Sequence, residues 1–249
     1  MKFIVSPAKK MVPADDSFGY EALPAFMSAT EAICEALKAL SYDELKALWK
    51  CSDAIAELNY ERLQNMNLYQ HVTPALFTYE GIQYQNMAPM VLNDKQLQYV
   101  QNHLRILSGF YGVLKPFDGI TPYRLEMQTK LSVDGSRDLY KYWGSKLCDF
   151  LAAEDEVIVN LASVEYSKVV TPYVKNHPGL RVVTCLFGTE KNGKLVQRST
   201  EAKAARGTFV RWCAEQGVED AEGMKVFNSM GYTYREDLSN ADTFVFIHE

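Results

Sequence analysis

Apolar residues along this chain recur now at two-residue and now at three-to-four-residue steps, and each change of step marks an element. Lys2, Phe3, Ile4 and Val5 form a short, mostly apolar run ending at Ser6-Pro7. Proline cannot donate to a sheet ladder, so the run predicts a first β-strand and then a loop carrying Lys9 and Lys10. Residues 25–40 are apolar at helical spacing, and Ser41-Tyr42-Asp43-Glu44 has the form of a capping box opening a further helix. The pattern repeats over 52–66, with Ile55, Leu58 and Leu63 expected inward. Thr73-Pro74 opens a short helical turn that Tyr79-Glu80-Gly81 closes. Asn93-Asp94 starts another helix, since both side chains suit the free amides of a first turn. Its stripe runs through Leu97, Val100, Leu104 and Leu107, and Gly109 is the expected stop.

A helix is next expected from about Asp138 to Leu151, carrying Tyr142, Leu147 and Phe150. The apolar run 157–161, bounded by acids and Ser163, fits a buried central strand. Runs 181–187 and 195–199 flank Asn192-Gly193, a pair suited to a tight hairpin. Residues 201–216 are helical in pattern, and 231–235 and 243–247 read as closing strands. Repeats and linker-like tracts are absent, and strands at both ends place the termini in a shared sheet. The expected architecture is one mixed α/β domain, 1–249, with a central sheet and surrounding helices.

Composition changes this picture little: 47% hydrophobic and 23% charged residues are ordinary globular values. No run approaches the roughly 18 apolar residues of a membrane span. The apolar start is also too short for a signal peptide. A cytosolic protein is the expectation. Cys34, Cys51, Cys148, Cys185 and Cys213 are scattered and odd in number, which predicts free thiols, mostly buried. His71, His103, His177 and His248 lie no closer than 32 residues apart, so a local zinc motif is missing and no metal or cofactor is expected. Net charge is −5, but its distribution is uneven. Between Arg105 and Lys146 seven bases face four acids, and between Lys191 and Arg211 six bases face Glu201 alone. A local positive face and a solvated mixed surface both fit such a pattern.

Chemistry concentrates first in residues 104–126. Gly109 and Gly112 turn the chain within four residues, flanked by Arg105 and Lys115. This resembles a helix-hairpin-helix element, whose glycines let main-chain amides approach a phosphate. The two bases would neutralise neighbouring phosphates. The glycines are three apart where the usual spacing is two, and a helix cap followed by a packed loop fits equally. Arg124 and Glu126 follow, two apart, as an anion fork with a general base or as a structural ion pair. Beyond the run 157–161, Ser163, Tyr166 and Lys168 stand where α/β sheets bind ligands, although Ser163 also suits a helix N-cap. Lys203 and Arg206 share a helical face, as an anion clamp or a solvated surface. Gly207 beside them implies a close approach by another part of the chain.

Together, Ser6-Pro7-Ala8-Lys9, Leu58-Asn59-Tyr60-Glu61-Arg62, Tyr84-Gln85 and the 107–112 block resemble the YaaA-type peroxide stress proteins. So do Pro122-Tyr123-Arg124-Leu125-Glu126-Met127, Asn160-Leu161-Ala162-Ser163, Glu165-Tyr166-Ser167-Lys168, Lys203-Ala204-Ala205-Arg206-Gly207 and Gly231-Tyr232-Thr233-Tyr234 with Leu238-Ser239. The resemblance implies a cytosolic bacterial protein that limits iron-dependent oxidative damage and binds double-stranded DNA with little sequence preference. It further implies a family-specific compact fold with a helix-hairpin-helix element and a basic cleft. Gly109 and Gly112 would then form the hairpin, and Lys9, Arg124, Lys168, Lys203 and Arg206 the cleft, with Ser6, Tyr84, Ser163 and Tyr166 beside them. This chain departs from the family at Gly81-Ile82, where Gly-Asp is usual. An enzyme acting on a nucleotide, nucleobase or damaged nucleic acid is the alternative, with Lys9, Arg124, Glu126 and Lys168 as candidate catalytic residues. A third reading, binding of iron or of a protein partner, stays open. A monomer is the expected state.

Overall fold

The computed structural model describes residues 1–14 and 18–248. It opens with β1 (Lys2–Val5), which Ser6-Pro7 ends as expected, and a two-residue strand β2 (Lys10–Met11). Helices α1 (Met27–Lys38), α2 (Tyr42–Trp49) and α3 (Asp53–Gln64) follow. The capping box is present: Ser41 N donates to Glu44 Oε2 at 2.8 Å, and Glu44 N returns a bond to Ser41 Oγ at 3.4 Å. The face of α3 differs from expectation. Ala56, Asn59 and Leu63 are buried while Ile55 and Leu58 are exposed. Asn59 tolerates burial because its Nδ2 donates to Ile55 O at 2.7 Å, so apolar character alone misplaces the stripe.

Residues 73–81 are more broken than a single turn. They form β3 (Thr73–Pro74), α4 (Ala75–Thr78) and β4 (Tyr79–Glu80), and Gly81 then opens α5 (Ile82–Met87). The largest correction comes next. Helix α6 (Asp94–His103) begins at the Asn93 capping box but stops at His103. Leu104–Ser108 is a strand, β5, buried throughout and parallel to β1. It turns through Gly109 into an antiparallel partner, β6 (Gly112–Leu114). A β-hairpin therefore stands where a helix-hairpin-helix element was expected. Five consecutive buried residues need cover on both faces, which a central strand supplies and an amphipathic helix does not.

After β7 (Gly119–Ile120), the helix expected from Asp138 is two helices, α7 (Leu139–Trp143) and α8 (Lys146–Glu154), parted by Gly144 at φ 51°. The rest follows the pattern: β8 (Val157–Asn160), a short α9 (Val164–Ser167), then β9 (Arg181–Lys191) and β10 (Lys194–Val196). Asn192 and Gly193 make the hairpin turn between the last two, at φ 53° and 71°. Helix α10 (Ser199–Gln216) and strands β11 (Tyr232–Tyr234) and β12 (Thr243–His248) complete the chain.

The main sheet runs β11-β12-β9-β8-β1-β5-β6, with β10 attached to β9, so both chain ends share it. β12, β9, β8, β1 and β5 are mutually parallel. From β1 the chain builds outward to β5 and β6, then returns to place β8 on β1's other edge. That reversal creates a crevice beyond the carboxyl ends of β1 and β8, the place where open α/β sheets hold ligands. Helix α10 covers the sheet with Phe209, edge-on to Phe3 and Phe187 at 6.4 and 5.4 Å between ring centroids. Among the described residues no helix is long and apolar enough to cross a membrane.

Candidate functional site

The two strand ends at the reversal are tied by serines. Ser163 N donates to Ser6 Oγ at 2.9 Å, and Ser6 Oγ donates to Ser163 Oγ at 3.2 Å. Ser163 sits at the N-cap of α9, but its side chain makes no capping bond. It is spent instead on the crevice. Above the pair opens a cleft of about 510 Å³, walled by segments 6–10, 80–84, 123–126 and 163–166 and by one face of α10.

Glu126 anchors one wall. Lys9 Nζ lies 2.9 Å from its carboxylate and Arg124 Nη2 3.3 Å, so the ion-pair reading of Arg124 and Glu126 holds, inside the cleft. Gly109 sets that position. A Cβ there would lie 3.1 Å from Glu126 C and Met127 N, so glycine lets the hairpin press on this backbone where a larger residue would push it back by a few tenths of an ångström. Trp143 Nε1 donates to Gly109 O at 3.0 Å and fixes the hairpin from the other side. Gly112 has φ +78°, and a Cβ would meet Leu147, Phe26 and Trp143 at 3.0 Å. Both glycines are buried. They hold the cleft wall in place and present no amide to a ligand, which corrects the hairpin reading.

Arg105 is corrected with them. It is 3% exposed, its Nε and Nη2 donate to Glu154 at 2.6 and 2.9 Å, and Nη1 donates to Gln101 O at 3.0 Å. Every guanidinium nitrogen is engaged in a buried structural role, by Glu154 or by backbone carbonyls. Lys115 lies 3.8 Å from the same carboxylate, and neither base reaches the cleft. Lys168 is exposed and outside the cleft lining, at the C-cap just past the end of α9.

Helix α10 supplies the opposite chemistry. Ser199, Lys203 and Arg206 follow at four- and three-residue steps and face the cleft together. Gly207 explains how deep Arg206 sits. A Cβ there would fall 2.0 Å from Gln83 O, so α10 lies directly on α5 and carries Arg206 into a half-buried position. This is the close approach that a glycine in mid-helix implies. Lys9, Lys10 and Arg124 have acidic partners, whereas among the described residues Lys203 and Arg206 have none. Among the described residues, Arg206 Nε, Arg124 Nε and Gln83 Nε2 are buried donors without a hydrogen-bond acceptor. Burial pushes the Arg206 guanidinium below its usual value.

The remaining walls are neutral or acidic. Tyr84 donates to Ser6 O at 2.9 Å, and Tyr123 shares bonds with Tyr79 at 2.8 Å and Ser108 at 2.6 Å. Burial pushes the phenols of Tyr84, Tyr123 and Tyr166 up, so they stay protonated. Glu165, which sequence reasoning passed over as a site residue, accepts from Gln128 N at 3.2 Å. Burial pushes its carboxyl up and the neighbouring Glu126 adds to the shift. Gln83, Lys10, Glu80 and Ser199 were also missed, and only the three- and four-residue steps from Ser199 to Arg206 were there to find. Ile82 lines the cleft, so the departure from the usual Gly-Asp falls within the site. A second cavity shares Lys9, Arg124 and Glu126 and extends to Trp49. Among the described residues no group of three or more His, Cys, Asp or Glu is poised to hold a metal.

Fold and site together define an α/β protein with a cation-bearing cleft at the reversal point of a mainly parallel sheet. The chain belongs to the family described as peroxide stress protein YaaA, which matches residues 1–238. It is 50% identical over 247 residues to a UPF0246 protein of Pediococcus pentosaceus, covering 99% of this chain and 98% of that one. A UPF0246 protein of Agathobacter rectalis is 48% identical over 246 residues, with 99% and 98% covered. One of Lactiplantibacillus plantarum is 43% identical over 249 residues, with both chains covered in full at 100%.

Proposed function

We propose that this peroxide stress family protein binds nucleic acid, double-stranded DNA in particular, through phosphate contacts in the cleft and with little sequence preference. The observation carrying this reading is that, among the described residues, Lys203 and Arg206 reach the cleft without acidic partners. A half-buried guanidinium lacking a counter-ion is costly, and a phosphate offsets that cost with charge and acceptors matched to its fork. Phosphate contacts carry no sequence information. Covering DNA would limit the damage done there by iron and peroxide without any iron ligand set in the protein. In a low-salt gel-shift assay, Lys203→Glu with Arg206→Glu should weaken duplex binding roughly 100-fold, at about 1.5 kcal/mol or more per charged contact. Lys191→Glu, on the exposed β9–β10 hairpin, should stay near wild type. Equal affinity for the cleft variant and wild type would sink the reading.

A second reading, an enzyme on a nucleotide or damaged nucleic acid, draws on the two carboxylates Glu126 and Glu165 in one cleft. Their unequal settings suit a base and an acid. Lysine-nucleophile chemistry is the weaker version, since Lys9 is 65% exposed and paired with Glu126 rather than desolvated.

A further inference from the structure

Resting on the reading that the cleft takes nucleic-acid phosphate, we infer that the cleft itself holds a single nucleotide with a terminal phosphate, the end of a DNA strand, while the duplex lies outside it. Size is the first argument. A cavity of about 510 Å³ lies in the range of small-molecule sites, roughly 300–1,000 Å³. Duplex readers instead push a helix or ribbon into a groove about 12 Å wide, and here the free cations stand inside a concavity. Charge is the second. The lining holds Lys9, Lys10, Arg124, Lys203 and Arg206 against Glu80, Glu126 and Glu165. With the salt bridges satisfied, Lys203 and Arg206 are the surplus, and a phosphomonoester of about −1.5 to −2 matches it. A continuous backbone would bring further phosphates against Glu126 and Glu165. Orientation is the third. Ser199 stands at the positive end of an 18-residue helix, and Lys203 and Arg206 follow on the same face within its first eight residues. Gln83, 6% exposed, lines the same cleft with Nε2 unbonded. The phosphate sits on Arg206 and Lys203, and the sugar and base lie along Ile82 and Leu125 near Gln83 and Glu165.

Fluorescence anisotropy on the full chain tests this with four probes. They are a duplex with a single-stranded overhang ending in phosphate, the same overhang ending in hydroxyl, a closed circular duplex, and free deoxyadenosine monophosphate with deoxyadenosine as its control. The phosphorylated end should bind about tenfold tighter than the hydroxyl end, as expected for one charge-assisted contact. The monophosphate should compete where the nucleoside does not. Arg206→Gln and, separately, Lys203→Gln should erase both preferences with unchanged thermal melting, so that a folding defect in one variant leaves the other decisive. Equal binding of phosphate and hydroxyl ends, with closed duplex still bound, overturns the inference and leaves the DNA reading standing. Binding of the free monophosphate with no DNA bound supports the nucleotide site and overturns the DNA reading.

Discussion

Asp118 closes the turn after β6, its Oδ2 accepting from Lys115 N at 2.8 Å while the residue is 4% exposed. Burial pushes its carboxyl up to about 6, against the pull of the Lys115 amide and the charges of Lys115 and Arg105. An unfolded aspartate titrates near about 3.9, so the native state keeps a proton that the unfolded chain has released. Stability from this group is therefore full below the unfolded value and is lost as pH rises through about 6. Asp118→Asn keeps an acceptor oxygen and removes the titration. Urea unfolding at stepped pH should show the variant gaining up to about 3 kcal/mol on wild type between about pH 4 and pH 7. A constant difference across that range would show that burial does not hold the proton. At this scale the contrast with Arg105 is instructive. Both groups are buried, but the arginine has a bidentate carboxylate and the aspartate leans mainly on one amide.

Two elements, α5 and α10, meet at Gly207 with no room for a methyl group. Gly207→Ala should cost about 3 kcal/mol by overpacking, read as a lower denaturant midpoint. It should also weaken anion binding, because Arg206 moves with the helix. An alanine variant as stable as wild type would mean that the helices part easily. Gly207 was also legible in the sequence, since a glycine at a helical position asks for a neighbour. The capping box at Ser41, the helix start at Asn93 and the Asn192-Gly193 turn were legible for a similar reason: their partners lie within three residues. β5 was not. Leu104 and Leu107 fit a helical step as well as a buried strand, and the partner that decides, β1, lies about a hundred residues earlier. Because the strand was missed, Gly109 and Gly112 were read as ligand-facing, whereas Gly109 packs on the backbone of Glu126 and Gly112 on Leu147, Phe26 and Trp143. The cleft was half legible. Ser6, Lys9, Tyr84, Arg124, Glu126, Ser163, Tyr166, Lys203 and Arg206 do converge, but pairing between distant segments decided which bases stayed free.

For the whole molecule, the sulfur atoms show how the fold meets an oxidising challenge. The five cysteines are free, and Cys34, Cys148, Cys185 and Cys213 are buried. Burial pushes these thiols up, Cys148 to about 11, and peroxide attacks thiolates. Cys51 alone is partly exposed. Ellman's reagent should titrate one thiol in the native protein and the other four only on unfolding. Two or more fast thiols would mean that the core opens readily. The position of β1 has a consequence of another kind. Phe3 is flanked by Leu104 on one side and Val159 on the other. At about 5–20 residues per second, a ribosome leaves this first strand with a bare edge for on the order of ten seconds. The opening segment is thus made first and sheltered late, a natural client for holding chaperones. Ser6 and Ser163, 157 residues apart, come together only after β8 has been translated, so an occupied cleft certifies that β1 has found its later partner.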